Sequence, residues 1–279
     1  MRVVVTGSKG FLGTYVVEDL QNNGHHVTEY DIQDGNDIFD VKKLEEALSA
    51  ADACIHLAAV ADLYEAEQNH SNCYNVNVIG TELVGKVCAD LNVKLIFTST
   101  VCAYGNNGCE LQTEQSPLAP TEIYAETKAI AEEKLLQIRY LDVKIVRPAT
   151  FYGPKMRPSL AISRFITAIF EDKAIQVHGS GRQTRCYTHV KDVATGITCI
   201  LQEWPNDDVF NIAVPQPLSV LELIQNIQSV TGKTTELVFV NDRQGQISSS
   251  EICSSKIQKL GWMPEYDIMN GLMHTIQGD

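Results

Sequence analysis

Tyr124 and Lys128 stand four residues apart in PTEIYAETKAIAEE, residues 120 to 133. On a helix that spacing puts both on one face, with side chains in mutual reach. Such a pair can simply pack. It can also act as a general acid and base, because a neighbouring ammonium favours the phenolate and draws a phenol with an ordinary pKa of about 10 toward working pH. A second stretch with chemical potential lies near residue 6. TGSKGFLG, residues 6 to 13, follows the β-branched run RVVVT and opens a helix-period segment, the setting that a phosphate-cradling glycine loop needs. Gly7 permits the tight turn, Gly10 lets backbone amides approach a pyrophosphate, and Gly13 lets the helix pack close on the sheet. The spacing G-x-x-G-x-x-G carries one more residue at the front than the usual dinucleotide fingerprint. Asp31 ends the next β-branched run, where a carboxylate can accept both ribose hydroxyls of an adenosine and repel a 2′-phosphate. The pair favours NAD over NADP.

The elements that must position these residues are legible from pattern. Strand candidates are RVVVT (2 to 6), HVTEYD (26 to 31), ACIHLA (53 to 58), KLIFTS (94 to 99) and VKIVRP (143 to 148), with helix candidates near 11 to 23, 41 to 49, 75 to 91 and 121 to 139. DVFNIAV, near 208 to 214, reads as a further sheet strand after a helix beginning near Asp192. This alternation predicts an α/β fold: a Rossmann-type doubly wound parallel sheet with a smaller C-terminal substrate-binding lobe. Residues 1 to 150, joined by about 190 to 213, are expected to form the NAD-binding domain, and 151 to 189 with 214 to 279 the substrate-binding lobe. With 22 Lys plus Arg against 35 Asp plus Glu, the formal charge of -13 argues against a nucleic-acid or anionic-membrane partner. The eight cysteines show no metal-ligand spacing, so reduced thiols in a cytoplasmic protein are the simplest account and no metal site is expected. No apolar signal segment or stretch approaching 18 uninterrupted apolar residues occurs, so neither export nor membrane insertion is expected.

Taken together, the motifs resemble the extended short-chain dehydrogenase/reductases that act on nucleotide sugars. The likeness runs through TGSKGFLG, Asp31, DI at 37 to 38, HLAA (56 to 59), NVIGT (77 to 81), FTSTVCAYG (97 to 105), YAETK (124 to 128), RPATFYGPKMRP (147 to 158), HGSGRQTR (178 to 185), HVKDVA (189 to 194) and KLGW (259 to 262). The resemblance implies a catalytic triad of Thr100, Tyr124 and Lys128, with Lys128 also reaching the nicotinamide ribose. It implies an NAD site lined by Gly7, Gly10, Phe11, Leu12, Gly13, Asp31, Asp37, Ile38, Leu57, Ala58, Ala59, Asn77, Thr98, Tyr124 and Lys128. Thr100 lies just past the strand KLIFTS, where a hydroxyl can hydrogen-bond a substrate oxygen. For the substrate it implies Thr100, Thr150 and Arg157 at the sugar, and Arg185 and Arg243 on the nucleotide diphosphate, a role suited to the fixed guanidinium fork. It further implies a homodimer built on the helices near 75 to 91 and 121 to 139.

Resemblance also orders the reactions. Related dehydratases and decarboxylases carry acids one or two residues after the catalytic Thr or Ser, where this chain has Val101 and Cys102. Without an acid there, removal of a C5 proton lacks its general base. Return of hydride to the opposite face of a transient 4-keto sugar remains: 4-epimerisation. YGPKMRPSLAISRF (152 to 165) is similar to a stretch in uronic acid 4-epimerases, with Ser159 in place of that subgroup's aspartate and Lys155 in place of its first arginine. The expected substrates are therefore UDP-glucuronate/UDP-galacturonate, slightly ahead of UDP-glucose/UDP-galactose. A 4,6-dehydratase, a 4-keto-sugar reductase and a non-catalytic NAD-binding regulatory protein are the alternatives.

Overall fold

The computed structural model describes residues 1–108, 110–242, 249 and 251–278. Its strands are β1 (Arg2–Thr6), β2 (His26–Tyr30), β3 (Ala53–His56), β4 (Lys94–Thr98), β5 (Leu111–Gln112), β6 (Val143–Pro148), β7 (Thr150–Tyr152), β8 (Ile175–His178), β9 (Thr184–His189), β10 (Val209–Ile212), β11 (Pro217–Ser219), β12 (Leu237–Val240) and β13 (Glu251–Ile252). Its helices are α1 (Phe11–Asn22), α2 (Val41–Leu48), α3 (Leu63–Gln68), α4 (His70–Tyr74), α5 (Thr81–Asp90), α6 (Ile123–Leu136), α7 (Ala161–Phe170), α8 (Val190–Glu203), α9 (Val220–Thr231), α10 (Ser255–Gln258) and α11 (Ile268–Gln277).

Six strands make one sheet in the order β10-β6-β4-β3-β1-β2, every neighbouring pair parallel. β3 and β6 are buried along their whole length, the mark of a sheet covered on both faces. Alternation along each strand divides the side chains between two cores. Val3, Val5, Ile55, Ile96 and Phe210 meet α1 and α8 on one face, while Val4, Cys54, Leu95, Phe97 and Ile145 meet α2, α5 and α6 on the other. The chain leaves β1 for β2 at one edge and then crosses back to β3 on β1's other side, so the sheet's switch point lies between β1 and β3. Ligands of open α/β sheets bind at that point, outside the carboxyl ends of the strands.

A smaller assembly follows. β7 and β9 run parallel with β11 antiparallel beside β9, and β8 pairs with β12. Around them α7, α9 and α11 enclose a core of Tyr152, Phe165, Ile169, Leu223, Ile227 and Leu272. Ile257 and Trp262, though late in sequence, belong instead to the core between α1 and α8, where Trp262 Nε1 donates to Asp192 O at 3.1 Å.

Two helices differ from the sequence pattern. Asn75–Gly80 form a π-helical turn ahead of α5, and Gly80 lets it close: a Cβ there would come 2.5 Å from Ile38 Cδ1. α6 is shorter than 121 to 139, with Glu122 as its N-cap and Tyr140 left-handed at φ 66° beyond its end. Its buried residues Ala125, Lys128, Ala131, Glu132 and Leu135 recur at helical spacing, yet two are charged. Glu132 is matched by Arg147 of β6, whose Nε donates to Oε1 at 3.0 Å and whose Nη2 donates to Oε2. This buried two-bond pair pins α6 to the sheet. Glu132→Ala would leave the guanidinium buried and unpaired, and is expected to lower stability by about 3–5 kcal/mol in denaturant unfolding.

Candidate active site

Register aligns the carboxyl ends of the strands: Thr6 lies opposite Tyr30 and His56, and His56 opposite Phe97. The glycine loop starts there. Gly7 has φ 70° and donates its amide to Tyr30 O at 2.9 Å. A Cβ on Gly7 would lie 2.7 Å from Ala58 N, so the loop after β1 and the turn after β3 touch backbone to backbone. Gly10 is the extended N-cap of α1 and brings no side chain to its first amides, which stay available to an anion. A Cβ on Gly13 would meet Gly7 O, which is why the helix can start so close to the turn. Leu12 and the half-buried Leu57 face the α1–α8 core, and Phe11 stacks on Phe151 at 5.6 Å. Asp31 is buried and accepts from the amides of Lys9 and Gln33, both at 2.9 Å, which fixes its carboxylate and leaves lone pairs for other donors.

Asp37 accepts from Phe39 N at 3.0 Å, and Ile38 is buried against Gly80. Ala58 N approaches Thr6 Oγ1 at 3.4 Å, and Ala59 is half-buried in the turn. Asn77, expected to lie along the cofactor, sits in the π-helical turn ahead of α5. Its side chain is fully buried and accepts from Val60 N at 2.8 Å while donating to Val60 O and Thr127 Oγ1 at 3.0 Å each. It braces the turn after β3 against α6. Sequence inspection passed over His56, which is buried between Thr6 Oγ1 (2.6 Å) and Thr81 Oγ1 (2.9 Å) and pushed by burial down to about 3, hence neutral. Among the described residues, Ser8 Oγ in the loop and Thr98 Oγ1 at the end of β4 are buried without a hydrogen-bond partner. Those orphans, the uncapped α1 amides and the fixed Asp31 fit a dinucleotide laid across the switch point.

The catalytic candidates converge at the end of β4. Thr100 accepts from Cys102 N at 3.1 Å and caps the short helical turn Val101–Tyr104. Lys128 is buried, donates to Thr98 O at 2.8 Å, and lies 4.6 Å over the Phe97 ring. Burial pushes its ammonium down to about 7. Tyr124 does not follow the expectation of a phenol drawn downward: burial raises it, the neighbouring Cys102 adds to the rise, and the Arg157 charge works against it. The reason is loss of water around the phenol, which outweighs the neighbouring positive charge. Cys102 is half-buried; burial and then the Glu122 carboxylate raise its thiol. Glu122 was not singled out in sequence because the N-cap position gives no hint that the side chain leaves the helix end uncapped.

On the substrate side, Thr150 starts β7 opposite Tyr187. Tyr15 Oη donates to Pro154 O at 2.9 Å, tying α1 to the segment that carries Arg157. Arg157 Nη2 donates to Ala61 O at 3.1 Å and Nη1 stands 3.8 Å from Asp62 Oδ2. Arg185 donates to Thr184 O at 2.7 Å, and its charge bears on Cys102. Arg243 lies outside the described residues.

A dinucleotide cradle at the switch point, with a Tyr-Lys pair and a threonine hydroxyl beside it, defines the short-chain dehydrogenase/reductase class of Rossmann enzymes. Comparison with known proteins narrows this. Residues 3–213 match the model of the NAD dependent epimerase/dehydratase family, and the chain belongs to that family. It is 30% identical to a UDP-glucuronate 4-epimerase of Thermodesulfobacterium geofontis, over 98% of this chain and 94% of that one. Its fold superposes on a UDP-glucose 4-epimerase of Thermotoga maritima solved with UDP-glucose (TM-score 0.91, 26% identity, 99% and 98% of the two chains). A dTDP-glucose 4,6-dehydratase of Streptomyces venezuelae solved with NAD is equally similar (TM-score 0.92, 26% identity, 99% and 96%). The cofactor is NAD.

Gly7→Ala should strip the purified protein of NAD, read as nucleotide released on denaturation, because the new methyl would strain φ and strike Ala58 N. Lys128 titrates between its unfolded value of 10.5 and about 7 when folded, so burying its charge costs stability progressively as pH falls through that window. In NAD-free protein, Lys128→Met should therefore stabilise, by on the order of 2–4 kcal/mol near pH 7 and by little at pH 10.5. Thermal unfolding across that range checks the sign.

Proposed function

We propose that the protein is an NAD-dependent nucleotide-sugar 4-epimerase, working through a transient 4-keto sugar, with a UDP-sugar as substrate. The observation that carries this is the convergence of Thr100, Tyr124 and Lys128 at the end of β4 with Val101 and Cys102, not acids, in the turn that follows. Bound NAD supplies the hydride acceptor and donor, and a positive ring charge that favours phenolate. Gly7, Gly10, the first amides of α1, Asp31 and Thr98 would hold it.

Tyr124 takes the proton of the sugar C4 hydroxyl and returns it after the keto-sugar has turned over in the pocket. A phenol raised by burial is a strong base once ionised, and Arg157 favours that ionised state. Lys128, one turn further along α6, fixes its own position on Thr98 O. Thr100 hydrogen-bonds the reacting oxygen. The buried neutral His56 supports the floor without adding charge.

A homodimer formed through α5 and α6 is part of this reading; Leu91 and Leu136 at the helix ends are exposed. So is a cytoplasmic setting, in which thiols stay reduced. A 4,6-dehydratase is the second reading, favoured by Glu122, an acid whose charge bears on Cys102 and Tyr124. It predicts a 4-keto product absorbing in alkali. The epimerase predicts, by NMR of protein incubated with UDP-sugar and no added cofactor, a C4 epimer and no keto product. Tyr124→Phe should cut that turnover by about 10³-fold while NAD content stays unchanged; an undiminished rate would remove Tyr124 as the acid-base.

A further inference from the structure

Arg157 reaches the sugar end of the site already engaged. Nη2 donates to Ala61 O at 3.1 Å, and Nη1 faces Asp62 Oδ2 at 3.8 Å. One of its five N–H donors is thus used on backbone, and its charge is paired with a neighbouring carboxylate. Asp62 is no mobile counter-ion. It caps α3 by accepting from the amides of Tyr64 (2.9 Å) and Glu65 (3.2 Å), and Ser159 Oγ donates to its Oδ2 at 2.7 Å. The Ser159 hydrogen bond, with those amides and Arg157, keeps the carboxyl below the ordinary carboxylate range. It is an anion at neutral pH.

The arrangement lies near Tyr124, on which the Arg157 charge bears. Val60, Ala66 and Cys73, which flank and follow Asp62, form one buried cluster with Ile123 and Tyr124 packed on it. Ser159 is, with Lys155, one of two positions where sequence resemblance to uronic acid epimerases breaks, an aspartate being replaced by a hydroxyl. In the fold that hydroxyl is the donor that holds Asp62 in place. Departure and new contact are therefore one feature.

We infer that Asp62 is a specificity-determining residue: fixed by Ser159 and paired with Arg157, it makes the pocket select a nucleotide sugar with a neutral C6 hydroxymethyl over one with a C6 carboxylate. This rests on the epimerase reading of the same pocket and sharpens its substrate class. A carboxylate brought to Arg157 would meet a guanidinium whose charge is already balanced by Asp62 and would stand beside that fixed anion. A hydroxymethyl meets neither penalty, and its oxygen can accept from Arg157 or donate to Asp62. Arg157 then serves to hold the turn after β3 over the sugar, through Ala61 and Asp62.

The test is calorimetric binding of UDP-glucose, UDP-glucuronate and UDP to the NAD-loaded protein and to two variants. Asp62→Asn keeps a capping side chain and its shape while removing the charge; Asp62→Ser is a second neutral cap should the first fail to fold. The parent should bind UDP-glucose at least tenfold more tightly than UDP-glucuronate, and either variant should narrow that ratio by about tenfold. Equal or tighter binding of glucuronate by the parent would overturn the inference. So would a ratio unmoved in both variants, or sugars that bind no better than UDP. NMR on the same samples separates the two levels. Discrimination in binding without any C4 epimer would leave the selector standing and remove the epimerase; epimer from glucuronate alone would do the reverse.

Discussion

Lys128 carries an ammonium into the interior of the protein, and much of what surrounds it exists to keep it there. The charge has one hydrogen-bond acceptor, Thr98 O, and an aromatic face, Phe97, both contributed by β4. Those contacts require α6 to lie at one height and rotation over the end of β4. Arg147 and Glu132 fix that height from one turn further along, and Asn77 fixes the helix start through Thr127. Tyr124 inherits its place from these three attachments. Burial of the pair is costly to the fold and useful to the site, because it is what holds the phenol high and the ammonium low.

Binding an anionic dinucleotide sets a second constraint, since the protein as a whole carries -13. Attraction must be local, from α1 amides and a few arginines, so every acid near those groups changes the result. Glu122 and Asp62 are two such acids. One raises the Cys102 thiol, the other pairs with the Arg157 cation. Neither lies in the motifs by which the family is recognised.

That distinction also marks what was legible in the sequence. The strands of the main sheet could be read because burial on both faces demands β-branched runs such as RVVVT and VKIVRP. The glycine loop and the Tyr124–Lys128 pair were visible because their geometry is local: a turn, and one helical repeat. Arg157 was reached only through resemblance and Asp62 not at all, since the hydrogen bond that ties Arg157 to Ala61 spans 96 residues and depends on how two loops meet. The π-turn at Asn75–Gly80 was invisible because a shift in hydrogen-bond phase leaves the apolar pattern intact, and with it went the structural use of Asn77. The rise of the Tyr124 phenol was missed for a related reason: spacing gives the neighbour, not the loss of water around it.

Trp262 lies between α1 and α8 with its indole nitrogen on Asp192 O, and Ile257 packs beside it. The wall of the nucleotide half is thus completed by residues that lie late in the chain, between β13 and α11 of the smaller assembly. During synthesis the first 213 residues can pair their strands, but the α1–α8 side of the core stays open to water until residue 262 has left the ribosome. The half that appears first therefore cannot close until nearly the whole chain has appeared, with only α11 of the smaller assembly still to follow.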